Sequence, residues 1–287
     1  MFKDLKTTYL ISEIGINHNG DINIGKKLID ATNATGWNCA KFQKRNPDVC
    51  VPEHQKNVMR DTPWGNMKYI DYKYKVEFEK KEYDIINNSC NDKGLEWSAS
   101  VWDYDSLDFL LNNYSNIPFI KIPSAINGSY DFLVDACKTN LPILVSLGMA
   151  DLKECDKIVN LLNNHSSEFC VMHTNSAYPA PNDQLNLSLI PFFIERYNCP
   201  VGYSGHEIDL EPSVIAATLG ANVIERHVTL DHSMWGSDHK CSLEVHAMDL
   251  LRKRIISARE AVGKPEKKVF DAEAPKIQSL KNIIKRN

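Results

Sequence analysis

Short runs of β-branched and other apolar residues alternate with amphipathic stretches along almost the whole chain. The runs YLISEIG (9–15), CAKFQ (39–43), EWSASV (96–101), FIKIP (119–123), ILVSLG (143–148), EFCVMHT (168–174), PVGYS (200–204) and NVIERH (222–227) read as strands. Helix-like segments follow them at 22–36, 77–93, 103–113, 129–139, 151–164, 184–196, 210–219 and 244–261. Gly36, Gly94 and Gly220 stand where helix C-caps end three of these segments just before the next strand. Eight strand–helix alternations predict an α/β fold, a single (β/α)8 TIM barrel. A doubly wound open sheet is the competing arrangement, and the count of eight favours closure.

Residues 44–75, containing PDVCVPEHQKNVMRDTPWGN, are too long for an ordinary strand–helix connection. They predict an irregular lid over the C-terminal mouth of the barrel. The domain division is therefore one barrel over 1–263 with that lid, and a tail over 264–287 too short for a second domain.

Composition narrows the class. The chain has 287 residues, 43% of them hydrophobic, enough for a sizeable core. A net charge of −4 gives no general attraction to nucleic acid or to acidic membranes, and the basic residues after Lys264 read as a solvated tail. The eight cysteines (39, 50, 90, 137, 155, 170, 199, 241) are scattered without a CxxC pair, as in the reduced thiols of a cytosolic protein. The N-terminus lacks a cleavable apolar core, and no apolar run approaches the ~20 residues that cross a bilayer. A soluble cytoplasmic protein without nucleic-acid or membrane partners is expected.

In a barrel the chemistry sits where strands end. Those ends carry Glu13, Asn17 and His18; Lys41 and Gln43; Ser100 and Trp102; Lys121 and Ser124; Ser146 and Gly148; His173, Asn175 and Ser176; Ser204 and His206; Glu225 and His227. Ionisable groups on apolar strands are costly without a purpose. Lys41 and Lys121 would bring two ammoniums into one mouth, which suits a phosphate or carboxylate ligand. The alternative is that each lysine pairs with a protein carboxylate, Glu13 being available for one. His206 and His227 end adjacent strands and can converge on a divalent cation; the alternative is a backbone-bonded histidine. GHEIDL is not a zincin helix, because Leu210 stands where the second histidine is needed. The GxxxxG spacing of EIGINHNGD is followed by Asp21 instead of the P-loop lysine, and Cys170 and Cys199 have no activating triad spacing.

At these residues the chain resembles the sialic acid synthase family. The resemblance rests on EIGINHNGD (13–21), AKFQ (40–43), FIKIPSA (119–125), SLGM (146–149), the HxxxxYP element from His173 to Pro179, GYSGH (202–206), and IERHVT (224–229) followed by GSD (236–238). It implies a (β/α)8 barrel that condenses phosphoenolpyruvate with an open-chain aldose, using a divalent metal: manganese first, with magnesium, cobalt or zinc as alternatives. It implies His206 and His227 as metal ligands, Lys41 and Lys121 on the donor's phosphate and carboxylate, and Ser100, Ser146 and Ser204 as hydroxyl contacts. Glu13, Tyr178 and Asp238 match residues facing the acceptor or the metal's water, with Glu13 or Asp238 as acid or base. Asn17, Gln43, Ser124 and Ser176 complete the expected substrate-binding set. A homo-oligomer, dimer or larger, is also implied.

Three departures bear on the acceptor. The family's small antifreeze-like C-terminal domain has no counterpart in the sequence read here. Ile126 stands where many members carry a carboxylate, and Ser176 where an acceptor-binding Asn often sits. Two other readings stay open: an octulosonate-type synthase using another aldose, and a metal-dependent hydrolase, which would not need lysines on strands 2 and 4. A non-catalytic scaffold is disfavoured by the full set of polar strand ends. Within VIERHVTLDHSMWGSDH (223–239), His232 and His239 are expected as loop residues at the mouth and Asp231 as a turn former.

Overall fold

The computed structural model describes residues 1–2, 7–166 and 168–281. Eight parallel strands follow one another around a barrel: β1 (Tyr9–Gly15), β2 (Cys39–Lys44), β3 (Glu96–Val101), β4 (Ile120–Ile122), β5 (Ile143–Ser146), β6 (Phe169–Thr174), β7 (Val201–Gly205) and β8 (Val223–Thr229). β1 pairs with both β2 and β8, so the barrel closes, and a two-residue strand, Leu243–Glu244, adds to the end of β8. The helices are α1 (Ile22–Ala34), α2 (Lys80–Asn91), α3 (Tyr104–Asn113), α4 (Tyr130–Cys137), α5 (Leu152–His165), α6 (Leu189–Tyr197), α7 (Glu211–Thr218) and α8 (Val245–Val262). The single (β/α)8 barrel expected from the alternation is the fold. No helix among the described residues is long and apolar enough to cross a membrane.

Successive strand residues point to opposite faces, so every second residue enters the barrel. Along five of the strands these inner positions change from apolar to polar. Tyr9 and Ile11 precede Glu13; Cys39 precedes Lys41 and Gln43; Phe119 precedes Lys121; Leu144 precedes Ser146; Val223 precedes Glu225 and His227. The lower positions form one closed cluster with Phe2, Cys170 and Met172. Phe2, Tyr9 and Phe119 meet there edge to face with ring centroids 5.8–6.5 Å apart. The outward positions (Leu10, Ile14, Ala40, Phe42, Trp97, Ile120, Ile143, Val145, Val171, Ile224) pack beneath the helices in the larger core. The barrel is thus plugged below and polar above, which puts the charged side chains at one end.

Two expectations need correction. Gly36 and Gly220 do end α1 and α7, at φ of 69° and 109°, but α6 begins at Leu189 instead of 184. Asn186 sits at φ 51°, a left-handed conformation that cannot continue a helix. The segment 44–75 is not irregular: it holds two helical turns (Pro47–Cys50 and Glu53–Lys56), a hairpin (Met59–Thr62 with Gly65–Lys68) and a helix, Tyr69–Val76. In the tail, Ala274–Leu280 is helical and exposed; 282–287 lie outside the described residues.

The lid helix is seated on the loop after β1. Gly20 (φ 72°) lies so close beneath it that a Cβ there would come within 3.0 Å of the Lys75 carbonyl oxygen. His18, from the same loop, stacks on Phe78 with centroids 3.7 Å apart, and burial lowers its pKa to about 3. The NHNG motif thus anchors the lid's C-terminal base. Gly20→Ala combines positive φ with a backbone clash, so it is expected to cost about 1–3 kcal/mol. Protease nicking within 44–75 should accelerate before global unfolding; unchanged proteolysis and denaturation midpoints would show that the lid is not held there.

Candidate active site

The strand register sets the polar ring at the mouth. Glu13 lies beside His227 on β8 and beside Lys41 on β2. Ser100 on β3 faces Gln43 on one side and Lys121 on the other, and Ser204 on β7 lies between Thr174 and Glu225. One cavity opens among these side chains. Of the expected residues it is lined by Glu13, Lys41, Gln43, Ser100, Lys121, Ser124, Ser146, Ser176, Tyr178, Ser204, His206 and His227.

At the floor both lysines are buried and held by hydroxyls: Lys41 Nζ donates to Ser100 Oγ (2.8 Å) and Lys121 Nζ to Ser146 Oγ (2.7 Å). Lys41 is ion-paired with Glu13, and Glu225 Oε1 lies 3.7 Å from Lys41 Nζ and 3.6 Å from Lys121 Nζ. Ser204 Oγ donates to the same oxygen at 3.1 Å. Gln43 Nε2 donates to Glu13 Oε1 at 2.9 Å. The alternative weighed from sequence is therefore part of the structure, because both lysines face protein carboxylates. Burial lowers Lys121, assisted by Lys41 and opposed by Glu225 and Glu13. For Lys41 burial acts downward too, but Glu13 and Glu225 outweigh it and its pKa is raised. Burial pushes Glu225 upward, yet Lys121 and Lys41 bring it down to about 2.

On the other wall the His206 and His227 ring centroids are 5.5 Å apart. His206 Nδ1 is 2.6 Å from the Asn175 carbonyl, which fixes the proton on Nδ1. The Tyr178 hydroxyl then donates to Nε2 at 2.9 Å. Burial, reinforced by His227, lowers His206 to about 3, so it is a neutral imidazole. His227 Nδ1 is buried without a hydrogen-bond partner among the described residues, 4.0 Å from Asp238 Oδ2. Burial raises Asp238, but His227, the Ser237 hydroxyl and Lys73 outweigh it and its pKa falls.

A divalent cation fits this donor set: two imidazole nitrogens, one orphaned and the other bearing a displaceable hydroxyl, with a carboxylate alongside. Among the described residues no group of three or more His, Cys, Asp or Glu could hold a metal alone, so water or substrate must complete the coordination. The Tyr178 hydroxyl engages the Nε2 lone pair that a cation would take, so the two exclude each other.

Asn17 and Asp238 do not line the cavity. Asn17 Nδ2 donates to the Val228 carbonyl (2.9 Å) and Ser242 Oγ (2.8 Å), tying β8 to the segment after it. Asp238 stands behind His227. His239, expected in an open loop, is 1% exposed, with Nδ1 2.8 Å from Thr229 Oγ1. Asp231 does form its turn, accepting from Ser233 N at 2.7 Å. Gly148 lets two expected residues approach, since a Cβ there would lie 2.7 Å from Ser124 Oγ and against Ser176 Oγ. Glu225 was given no role beyond its place at a strand end. The period-2 reading of Val223, Glu225 and His227 was the signal that put it inside.

A mouth of this make-up, on the C-terminal end of a closed (β/α)8 barrel, defines an enzyme site for a small anionic molecule. The NeuB family model matches residues 28–267, and the chain belongs to the NeuB family. It is 35% identical over 257 residues to N-acetylneuraminate-9-phosphate synthase of Drosophila melanogaster, covering 88% of this chain and 68% of that protein. It is 32% identical over 292 residues to N,N'-diacetyllegionaminic acid synthase of Legionella pneumophila, covering 98% and 79%. The fold superposes with a TM-score of 0.86 on N-acetylneuraminic acid (sialic acid) synthetase from Leptospira borgpetersenii, solved with citrate, at 26% identity over 97% of this chain and 93% of that one.

Proposed function

We propose that this protein condenses phosphoenolpyruvate with an open-chain aldose, an amino sugar such as N-acetylmannosamine or a relative. The products are a nonulosonic, sialic-acid-like 3-deoxy-2-keto sugar acid and inorganic phosphate. The observation that carries the reading is the convergence of Lys41, Lys121 and their hydroxyl partners in the cavity that also holds His206 and His227. A hydrolase built on the histidine pair has no use for two buried ammoniums. The names of the Drosophila and Legionella relatives support a synthase, and the sugar acids they name differ.

In this reaction C3 of phosphoenolpyruvate attacks the aldehyde carbon, water adds to the resulting C2 cation, and phosphate leaves with C–O cleavage. Lys41 and Lys121 hold the donor's phosphate and carboxylate, while Ser100, Ser146 and Ser204 orient them. Both lysines are already balanced by Glu13 and Glu225, so a trianionic donor brings charge that these four side chains do not neutralise. A divalent cation on His206 and His227, manganese first, would supply that positive charge and act as a Lewis acid on the acceptor carbonyl. Glu13, which lines the cavity and is bonded to Lys41 and Gln43, is placed to act as acid or base toward water or an acceptor hydroxyl, while Asp238, held ionised behind His227, acts through that imidazole. Eight free cysteines support a reducing compartment, the cytoplasm, as the place of action.

The test is phosphate release from phosphoenolpyruvate with manganese and a panel of aldoses, arabinose 5-phosphate and N-acetylmannosamine among them. Release with an aldose that lacks an amino group only would favour the octulosonate-type alternative, and none with any aldose would sink the synthase reading. His206→Ala and His227→Ala should each weaken manganese binding, read by paramagnetic resonance, by roughly tenfold or more with the far-ultraviolet dichroism unchanged. Undiminished manganese affinity would remove that histidine from the ligand set.

A further inference from the structure

Between the lid and the barrel rim lies a second cavity, sharing only Trp102 with the one described above. Arg45 just after β2, Lys73 from the lid helix and Trp102 just after β3 line it, with Tyr69 as part of the wall. Arg45 is only 9% exposed, and its guanidinium lies 5.5 Å over the Trp102 ring. Its backbone N and Nε engage Glu77 at 2.8 and 3.5 Å, but Nη2 is buried without a partner among the described residues. Trp102 Nε1 is a second orphan of the same kind. Lys73 Nζ faces the rings of Tyr69 and Tyr72, 5.1 and 5.4 Å from their centroids. Burial, then Arg45, lower Lys73 to about 8, with Asp238 and Glu77 pulling the other way.

A buried N–H without an acceptor forfeits its hydration with nothing in return. The residues that carry these two orphaned donors line one void together with Lys73, and all three groups are donors with no acceptor capacity. An oxyanion satisfies them together, and a phosphate with three terminal oxygens matches a guanidinium edge, an indole N–H and an ammonium at once. The product named for the Drosophila relative carries a phosphate and the one named for the Legionella relative does not, and identities of 35% and 32% do not choose between them. The cavity chemistry does.

We propose that this cavity is an anion subsite for a phosphate ester on the far end of the acceptor sugar, reached from the catalytic cavity across Trp102. The inference rests on the synthase reading and deepens it by naming the acceptor class. Trp102 supplies the shared wall, Arg45 and Lys73 the charge, and the lid brings Lys73 into place.

The test compares N-acetylmannosamine with its 6-phosphate in the full chain, by phosphate release with phosphoenolpyruvate and manganese and by calorimetry. The ester should have a kcat/KM at least tenfold higher. In Lys73→Gln, and in Trp102→Phe, which keeps the ring but lacks the N–H, that ratio should fall toward one. A ratio near one in the unmodified protein, or one untouched by both substitutions, would overturn the subsite. If neither sugar turns over, the synthase reading fails on its own and calorimetry decides the subsite. Ester binding at least tenfold tighter than the free sugar, lost in Lys73→Gln, keeps it; equal or absent binding removes it.

Discussion

Replacing Arg226 by Met should destabilise the protein by about 3–5 kcal/mol, the largest stability effect expected of any substitution around the site. Arg226 and Glu207 are both fully buried, with Nη1 2.8 Å from Glu207 Oε1, 2.9 Å from Ser213 Oγ and 3.1 Å from the Asp209 carbonyl. Nη2 donates to the Glu207 carbonyl. The Tyr203 hydroxyl donates to Glu207 Oε2 at 2.7 Å. Removing the guanidinium leaves a carboxylate desolvated without a counter-charge, which is why the loss exceeds the worth of the pair itself. Arg226→Met combined with Glu207→Gln should recover part of it, because no charge is then stranded. The consequence reaches the mouth, since Glu207 follows His206 and Arg226 precedes His227. Gly205 has no Cβ to collide with the Glu207 carboxylate folding back over it. Urea midpoints and manganese affinity measured on the same variants check the argument. A single variant that loses under 1 kcal/mol and keeps its manganese affinity would show that the pair does not fix the histidine spacing.

That ion pair lies inside two motifs, GYSGH with its following Glu207 and IERH, whose expected roles fall on Ser204, His206 and His227. The barrel was legible because its signal is collective: eight apolar runs, each in register with a helical segment, leave little else to build. Lys41, Lys121, His206, His227, Ser100, Ser146 and Ser204 were legible because strand ends converge in a closed barrel whatever the loops do. Asn17 and His239 were not, because a polar side chain in a loop can bond backbone as readily as ligand, and only the partner's position tells which. Glu225 was less legible because it is not the strand's last residue: inward alternation places it one layer below His227. The lid's hairpin and helical turns are four residues each, too short for a periodic pattern, and they are held by contacts such as Tyr74 to Asp48 and Asn66 to Asp61.

Glu225→Gln should lower kcat/KM for phosphoenolpyruvate turnover by about 10²–10³. Among the described residues Glu225 is the one carboxylate within 4 Å of both lysines, and its Oε1 also accepts from the Ser204 hydroxyl, so two ammoniums and one hydroxyl donor surround a single oxygen at the cavity floor. An amide keeps the shape but removes the charge that holds both ammoniums aligned in the absence of donor. The lysines would then repel one another across the cavity, and Lys121, already lowered by burial and by Lys41, would lose its largest opposing influence. Its proton should therefore leave at lower pH, and the alkaline limb of the kcat/KM profile should move toward neutrality in the variant. The acid side gives an independent check with a definite sign. Glu225 is held down at about 2 from an ordinary 4.5, so its stabilisation is complete above pH ~4.5 and is lost as pH falls through its folded value. Gln has no such titration, so the variant should be less stable near neutrality and should lose less of its stability between pH 4.5 and 2. An unshifted alkaline limb together with an unchanged acid denaturation slope would mean that Glu225 does not hold the lysine pair, and that Glu13 alone balances the floor.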